Sequence, residues 1–421
     1  MATHVSPVLV IGAGGAGVIA AWKAAMCGAP VVVLERNRKA GVKLLISGGG
    51  KCNVTHAGPM EEVRTAFTTR ESRFLKPAFY RFTNTDLLRL LEDHGVDVYA
   101  RDNGRVFPKS GRAGDIVGLL VDLMVNAGAE LRLDTRVSEL LHDDKGIVGV
   151  KAGDAVIHSS HVILATGGVS YRRTGTTGDG YAWAKTTGHA IVPLRPALAP
   201  IGVIPALPAS WRGIAVRSGR LSLYASGRKV SHADGDILFT HEGLSGPAAL
   251  ELSRVAAEAA ENKEVDLVLD FFPQRDLSDL DHDLQQRLTG QRGKMIETHL
   301  YEWLPNRIVG DLLRRIDVNP ETRGYTLTSA QRRSVVLLLK GWKVGRVGTI
   351  DIDRGEVTAG GISLDEVDPQ TMRSRKIGGL YLAGEVLDIA GPVGGYNLQA
   401  AFSTGAVAGE SAASDWKVLH N

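Results

Sequence analysis

Cysteine is nearly absent from this 421-residue chain: Cys27 and Cys52 are the only two. That excludes a disulfide framework and a cysteine-rich metal cluster, and no metal ligand set is expected. Two lone thiols suit a reducing compartment, so a cytoplasmic location is expected. No Cys-x-x-Cys pair occurs, which excludes dithiol-based disulfide reductase chemistry. Long apolar runs are missing too: none approaches the ~18 residues that span a bilayer, so no membrane partner is expected. The stretch from Val8 to Ala25 lacks the basic leader of a signal peptide, and four glycines interrupt it. Charge of one sign is scarce, since a net charge of +3 implies no polyanionic partner by itself. Its distribution is uneven, however. Between Arg287 and Arg346 stand 12 Lys/Arg against 5 Asp/Glu, either a solvated helical face or a docking surface for phosphates.

Glycine is what the chain has in excess. Its 50 residues are about 12% of the total, against a usual ~7%. They fall in clusters, which mark tight turns and close approaches of backbone to a ligand. The first cluster follows the apolar run Val8–Ile11: Gly12, Ala13, Gly14, Gly15, Ala16, Gly17. In this spacing the first glycine permits the turn, the second lets backbone approach a pyrophosphate, and the third lets helix and strand pack. Ala16 to Met26 reads as a helix whose free N-terminal amides face the phosphates. A second β-branched run, Val31–Leu34, ends at Glu35, where a carboxylate meets ribose hydroxyls. Arg36 beside it is counted among the contacts. The acid suits FAD or NAD and opposes the 2′-phosphate of NADP.

Later segments decide between these two. Lys43 leads into Ser47, Gly48, Gly49, Gly50, Lys51, Cys52 and Asn53, where a triple glycine lets backbone run along an extended cofactor and Lys43 or Lys51 can neutralise pyrophosphate. The strand ending at Ala165 enters the small-residue turn Thr166, Gly167, Gly168. Near the C-terminus, Leu380–Ala383 enters Gly384 and Glu385, with Asp388 close behind. Gly394, Gly395, Tyr396, Asn397 and Leu398 then open a last helix. Amides at such a helix start stabilise the charge of a reduced flavin. With Val137 added, these residues form the expected cofactor set, and the expected cofactor is FAD, held without a covalent bond.

Coarse structure follows the hydrophobic periodicity. The first half alternates strand and helix, with helices over 84–94 and 116–126. From Pro193 prolines cluster, and short alternating runs such as Leu221–Tyr224 and Ile237–Thr240 suggest an antiparallel sheet or barrel. Residues 279–317 read as helical. A helix over 328–340 carries a Thr328/Gln331 capping box. The expected class is α/β: a Rossmann-like FAD-binding domain with a central parallel sheet, interrupted by a small antiparallel β-barrel and a helical insert. The boundaries read 1–192 and 357–421 for the FAD domain, 193–274 and 341–356 for the barrel, and 275–340 for the insert.

Five segments, KLLISGGGKCNVT (43–55), GRVFPK (104–109), LFTHEGLSGP (238–247), EVTAGG (356–361) and GLYLAGEVLDIAGPVGGYNLQAAFSTG (379–405), resemble the BaiN/RdsA family of FAD-dependent oxidoreductases. The similarity spans essentially the whole chain. It implies the same three-part fold and reduction of an activated C=C bond, in bile-acid enones or in a uridine of ribosomal RNA. Val42 and Lys51 depart from it, standing where the family usually has a basic residue and an arginine.

No second GxGxxG is present, so the reductant, NAD(P)H or an electron carrier, is expected to visit transiently. Hydride would pass from flavin N5 to one carbon, and an acid would protonate the other. Cys52 and Tyr396 are the candidate acids, with His56 and His241 weaker. Four activities compete: a small-molecule enone reductase, a uracil-base reductase docking ribosomal RNA through 287–346 with Tyr301, Trp303 and Trp342, a small-amine oxidase, and a non-enzymatic flavin redox sensor.

Overall fold

The computed structural model describes residues 6–420. They divide into two compact units, one running up to residue 195 and again from 356 onward, the other of 196–355. In chain order the first unit contains β1 (Val8–Ile11), α1 (Gly15–Met26), β2 (Val31–Leu34), α2 (Val42–Gly50), the short strand β3 (Thr55–His56), β4 (Arg105–Pro108), β5 (Glu130–Arg132), β6 (Val162–Leu164), β7 (Val357–Ile362), β8 (Leu380–Leu382) and the C-terminal helix α3 (Tyr396–His420).

Among the described residues five strands form one parallel sheet, in the order β8-β6-β1-β2-β5. Its central pair runs in register from Val8↔Val31 to Ile11↔Leu34. Both strands are buried throughout. A parallel sheet covered on both faces favours such unbroken apolar runs over alternation.

One feature of the layers was not foreseen. Helices α1 and α3 touch through their backbones: a Cβ on Gly405 would lie 2.3 Å from the Ala16 carbonyl oxygen, and one on Gly409 2.1 Å from that of Ala20. Glycine inside a helix costs ~1 kcal/mol relative to alanine. Here it allows two helices to approach closer than any side chain permits.

The second unit holds a closed antiparallel barrel of six described strands, Ile201–Ile204, Gly243–Ser245, Arg228–Phe239, Ala215–Ala225, Val265–Asp270 and Trp342–Val347. The helical stretch read over 279–317 is three helices, Leu277–Gly290, Ile296–Leu300 and Asn306–Arg314. The helix Ser329–Gly341 has the Thr328/Gln331 capping box read from the sequence. Barrel and helices share one core. Trp211 stacks edge-on to Trp342, ring centroids 5.3 Å apart, and donates its indole N–H to Asp311 at 2.8 Å. The expected class therefore holds: a Rossmann-type sheet, an antiparallel barrel and a helical portion.

Candidate functional site

The turn between β1 and α1 is made by packing, and each glycine has its own reason. Gly12 has φ +98°, and a Cβ there would fall 2.6 Å from the Ala165 carbonyl oxygen. A Cβ on Gly17 would fall 1.8 Å from the Gly12 oxygen. Gly15 lies against the Phe402 ring, and Ala16 against Gly384. Gly14 differs: its φ of −80° suits any residue, and a Cβ would meet no atom within 4 Å. It faces the open ground before the helix end. No side chain caps α1, and its first helical bond is Val18 N to the Gly14 oxygen, 3.0 Å. The amides of Gly15, Ala16 and Gly17 thus precede any intrahelical acceptor and form an anion-binding end.

Glu35 is buried at the end of β2 and accepts hydrogen bonds from the amides of Ala13 (2.7 Å) and Asn37 (2.8 Å). A carboxylate offers about four lone-pair sites, so acceptor capacity remains for hydroxyl groups. Arg36 is held by Thr177 (2.6 Å) and Asp179 (3.3 Å), an acid that Arg136 also contacts at 3.2 Å. Val137 is buried, with its strand neighbour Ser138 accepting from the Trp183 indole.

Helix α2 breaks where the sequence turns to glycine. Ser47 takes ψ 148°, and Gly48 and Gly49 are left-handed. Gly49 meets no atom within 4 Å of its ideal Cβ, so the turn is open on that side. Cys52 also has a left-handed backbone, φ 57°, and a fully buried side chain. Burial pushes its thiol up to about 11, against a hydrogen bond with Ser47. Asn53 Oδ1 and Thr166 Oγ1, both expected cofactor contacts, are buried oxygens with no hydrogen-bond partner among the described residues. Such groups carry a desolvation penalty unless something else satisfies them.

Lys43 and Glu385 are partners of each other, at 2.7 Å, with Lys43 also donating to Ser170 at 2.8 Å. Charge expected at a pyrophosphate is thus neutralised within the protein. Glu385 further accepts from the Thr358 amide (2.9 Å), and Thr358 Oγ1 from the amides of Val169 and Ser170. The loop after β6, the start of β7 and the turn after β8 are tied together by this network, and Gly168 leaves room for it.

The start of α3 is furnished with side chains. A Cβ on Gly395 (φ +93°) would lie 2.3 Å from the Thr55 carbonyl oxygen. Gln399 N donates to Gly395 O, 3.1 Å, which leaves the amides of Asn397 and Leu398 without an acceptor inside the helix. Asn397 itself clamps the preceding loop, its amide bonding the N–H (2.8 Å) and carbonyl (2.9 Å) of Gly391. Tyr396 stacks on His56, centroids 4.6 Å apart, and meets Phe67 edge-on. Beneath them the fully buried Gln399 bonds Thr55 at 2.6 Å. Asp388 is buried and paired with Arg70 at 3.3 Å. Neither Gln399 nor Thr358 carried a sequence signal, since each is one polar residue in an apolar element.

In the second unit the aromatic residues noted beside the basic segment behave differently from expectation. Trp342 is core, 3% exposed, and unavailable to an outside ligand. Trp303 packs on Phe272 under Arg275 and Arg287. Arg287, Arg314, Arg332, Lys340, Lys343 and Arg346 are ion-paired, mostly to acids lying before residue 287. Half of the twelve cations are therefore balanced once the chain folds.

A five-stranded parallel sheet with glycine-rich turns opening two helices of one unit is the frame of a Rossmann-type flavoprotein oxidoreductase. Residues 6–411 match the HI0933-like protein Rossmann domain, and the chain belongs to that family. It is 30% identical over 399 residues to the ribosomal RNA dihydrouridine synthase of Escherichia coli K12, spanning 94% of this chain and 95% of the relative. Over 408 residues it is 30% identical to the 3-dehydro-bile acid delta(4,6)-reductase of Clostridium scindens, spanning 96% and 98%. The BaiN/RdsA resemblance is thereby borne out. Among solved structures, the 3-ketosteroid-delta4-(5alpha)-dehydrogenase of Rhodococcus jostii RHA1 shares the fold, with 17% identity, a TM-score of 0.51 and 98% of each chain covered. No described helix is long and apolar enough to cross a membrane, and no described group of His, Cys, Asp or Glu assembles a metal site.

Proposed function

We propose that this protein binds FAD without a covalent bond and uses it to reduce a C=C bond conjugated to a carbonyl group. The carrying observation is the open face of Gly14 before an uncapped helix end, together with the unsatisfied buried oxygens of Asn53 and Thr166. In this reading the amides of Gly15, Ala16 and Gly17 hold pyrophosphate, and Glu35 takes ribose hydroxyls. The loops 47–53 and 165–168 follow the middle of the cofactor, and the amides of Asn397 and Leu398 face the flavin. When bound, FAD supplies a two-electron carrier. The protein fixes the loops around it through the Lys43–Glu385–Thr358 network and the Asn397 clamp. Tyr396 and His56 form a wall at the flavin end. Cys52 is a packing residue in this reading: its side chain is fully buried, where burial and a hydrogen bond with Ser47 act on its thiol.

The reductant is an external dihydronicotinamide. Its use is tested with the purified yellow protein: NADPH or NADH without oxygen should bleach the flavin, and an enone should restore the colour. Bleaching only by a small amine would replace the reductase with an oxidase.

A uridine of ribosomal RNA is the second reading. One observation favours it: Arg292, Lys294 and Arg323 are exposed, form no ion pair among the described residues, and stand beside Tyr325, which is 55% exposed. The backbone joins them, with Gly324 N donating to the Lys294 oxygen at 3.0 Å. Cations with an exposed ring suit phosphates and a stacked base. Mass-spectrometric mapping of dihydrouridine in ribosomal RNA from a deletion strain tests it, and unchanged RNA removes it.

A further inference from the structure

Three short strands run antiparallel in the first unit: β3, β4 and Val98–Ala100, with β4 in the middle. His56 of β3 stands opposite Arg105 of β4. The hairpin from Val98–Ala100 into β4 closes with Arg101 N donating to the Arg105 oxygen at 2.9 Å, around a left-handed Gly104 with φ +76°. Residues directly opposite each other share a face of a ladder. His56, Arg105 and Arg101 therefore form one transverse row across the three strands. Neighbouring strands lie about 4.8 Å apart, so the row is roughly 10 Å wide.

Like charges set opposite each other on one face destabilise a ladder. No ion pair relieves them here: among the described residues neither arginine forms one, and neither does Asp102 in the turn between them. Arg101 is exposed, with its guanidinium over the Phe107 ring, 4.3 Å from the centroid. That contact holds the group in place and leaves its N–H donors free. Arg105 is half-buried, and its guanidinium makes no hydrogen bond among the described residues. His56 donates from Nδ1 to the Ala57 oxygen at 2.6 Å, since a carbonyl only accepts, and its Nε2 is left open. That nitrogen lies on the hairpin side of the ring, where a Cβ on Gly104 would fall 2.3 Å from it.

The ladder meets the candidate site at two points. His56 stacks on Tyr396 at the start of α3. The Phe107 ring lies against the 47–53 loop, 3.2 Å from where a Cβ on Gly48 would stand. A visiting dinucleotide must be held by its phosphates, and the chain has no second GxGxxG to do so. A row of this width is broader than one carboxylate. It suits phosphate, whose several charged oxygens an arginine fork grips with paired donors.

We propose that the row His56–Arg105–Arg101 holds a phosphate group of the dihydronicotinamide dinucleotide that reduces the flavin. The assignment rests on the reductase reading with an external donor. The row binds and orients, and no bond is made or broken there.

The test uses the flavin-loaded full chain, its Arg105→Gln, Arg105→Lys and Arg101→Gln variants, and the double variant R101Q/R105Q. Cofactor content, read from visible absorbance, should match wild type in all four. Inorganic pyrophosphate should raise the melting temperature of wild type and leave that of the double variant unmoved. Equal shifts in the two overturn the row as a phosphate site. In anaerobic bleaching, the NADPH concentration giving half the maximal rate should rise by at least ~10-fold in Arg105→Gln and in Arg101→Gln, and by less in Arg105→Lys. The limiting rate at saturating NADPH should change by less than ~2-fold, as for a contact that binds without taking part in the chemical step. Should the double variant not fold, Arg101→Gln, at an exposed position, serves the same comparisons. Donor affinity equal in wild type and the double variant overturns the assignment. So does a double variant that keeps NADPH affinity and loses retention of single-stranded RNA, since the phosphate is then a nucleic acid's. A wild-type flavin that neither NADPH nor NADH bleaches removes the external donor and this assignment with it; a bleached wild type with an indifferent row removes the assignment alone.

Discussion

The two glycine-rich helix starts look alike as sequence and differ as structures. At α1 three glycines are demanded by neighbouring protein atoms, and only Gly14 faces open ground. No side chain hydrogen-bonds the helix end there. At α3 the glycines are demanded too, Gly395 by the Thr55 carbonyl, but aromatic rings and the Asn397 clamp surround the helix end. The first is a bare backbone cradle, suited to a ligand part that never changes. The second carries chemically varied side chains, and on the proposed function a reaction partner is met there. On the proposed function, a phosphate site and a reacting site draw on the same helix dipole and are told apart by what stands in front of it.

Substitutions at the glycines break this comparison most directly. Gly17→Ala places a methyl group 1.8 Å from the Gly12 oxygen, a backbone atom that cannot rotate away. It should cost on the order of 3 kcal/mol and yield colourless, poorly folded protein in thermal melts. Gly395→Ala combines a φ of +93° with a clash at Thr55 O and should cost about 1–3 kcal/mol. The protein should still retain FAD with altered flavin fluorescence, because the α1 cradle is untouched. Gly14→Ala is the sharpest case. Its backbone suits alanine and its Cβ meets nothing, so the melting of cofactor-free protein should shift by less than ~0.5 kcal/mol. FAD affinity, read by titration of that protein, should nevertheless fall by at least ~10-fold, about 1.4 kcal/mol. Unchanged affinity would mean that pyrophosphate does not lie at Gly14.

The smallest effect concerns Cys52. Burial raises its folded-state thiol from the ordinary 9.0 to about 11. The neutral thiol is the favoured form, so its stability contribution is complete below pH 9 and lost as pH rises towards 11. The loss is on the order of 2 kcal/mol. Chemical denaturation between pH 9 and 11 should show this decline in wild type and a weaker one in Cys52→Ala. Enone reduction at pH 7 should be nearly unchanged in that variant, and a loss beyond tenfold would restore Cys52 as a proton donor.

What the sequence disclosed was local. Gly12 to Gly17 and Glu35 are legible because strand, turn, helix and strand follow one another within a few dozen residues, each with its own period and punctuation. The Thr328 capping box is legible for the same reason. Lys43 was not legible as the partner of Glu385, nor Thr55 as that of Gln399 or Arg70 as that of Asp388: each pair is separated by more than 300 residues. Such pairs exist only after the last segment returns to the first. The basic stretch misled in the opposite direction. A window from 287 to 346 leaves out Glu264, Asp266, Asp270, Asp281 and Asp283, the acids that neutralise its cations in space. Gly405 and Gly409 fall inside the last helix as the sequence reads it, but their service as a contact between helices carried no local signal.

That contact has a metric consequence. Gly405 lies level with Ala16 and Gly409 with Ala20, so α1 and α3 run in the same direction there. Since α3 begins at Tyr396 and α1 at Gly15, the two N-termini are offset by eight residues, roughly 12 Å at 1.5 Å each. Because backbone rests on backbone, side-chain motion cannot alter that offset. On the proposed function, the paired helices are a fixed gauge for the length of the bound molecule: a dinucleotide reaches both positive ends at once, whereas a mononucleotide leaves one of them empty.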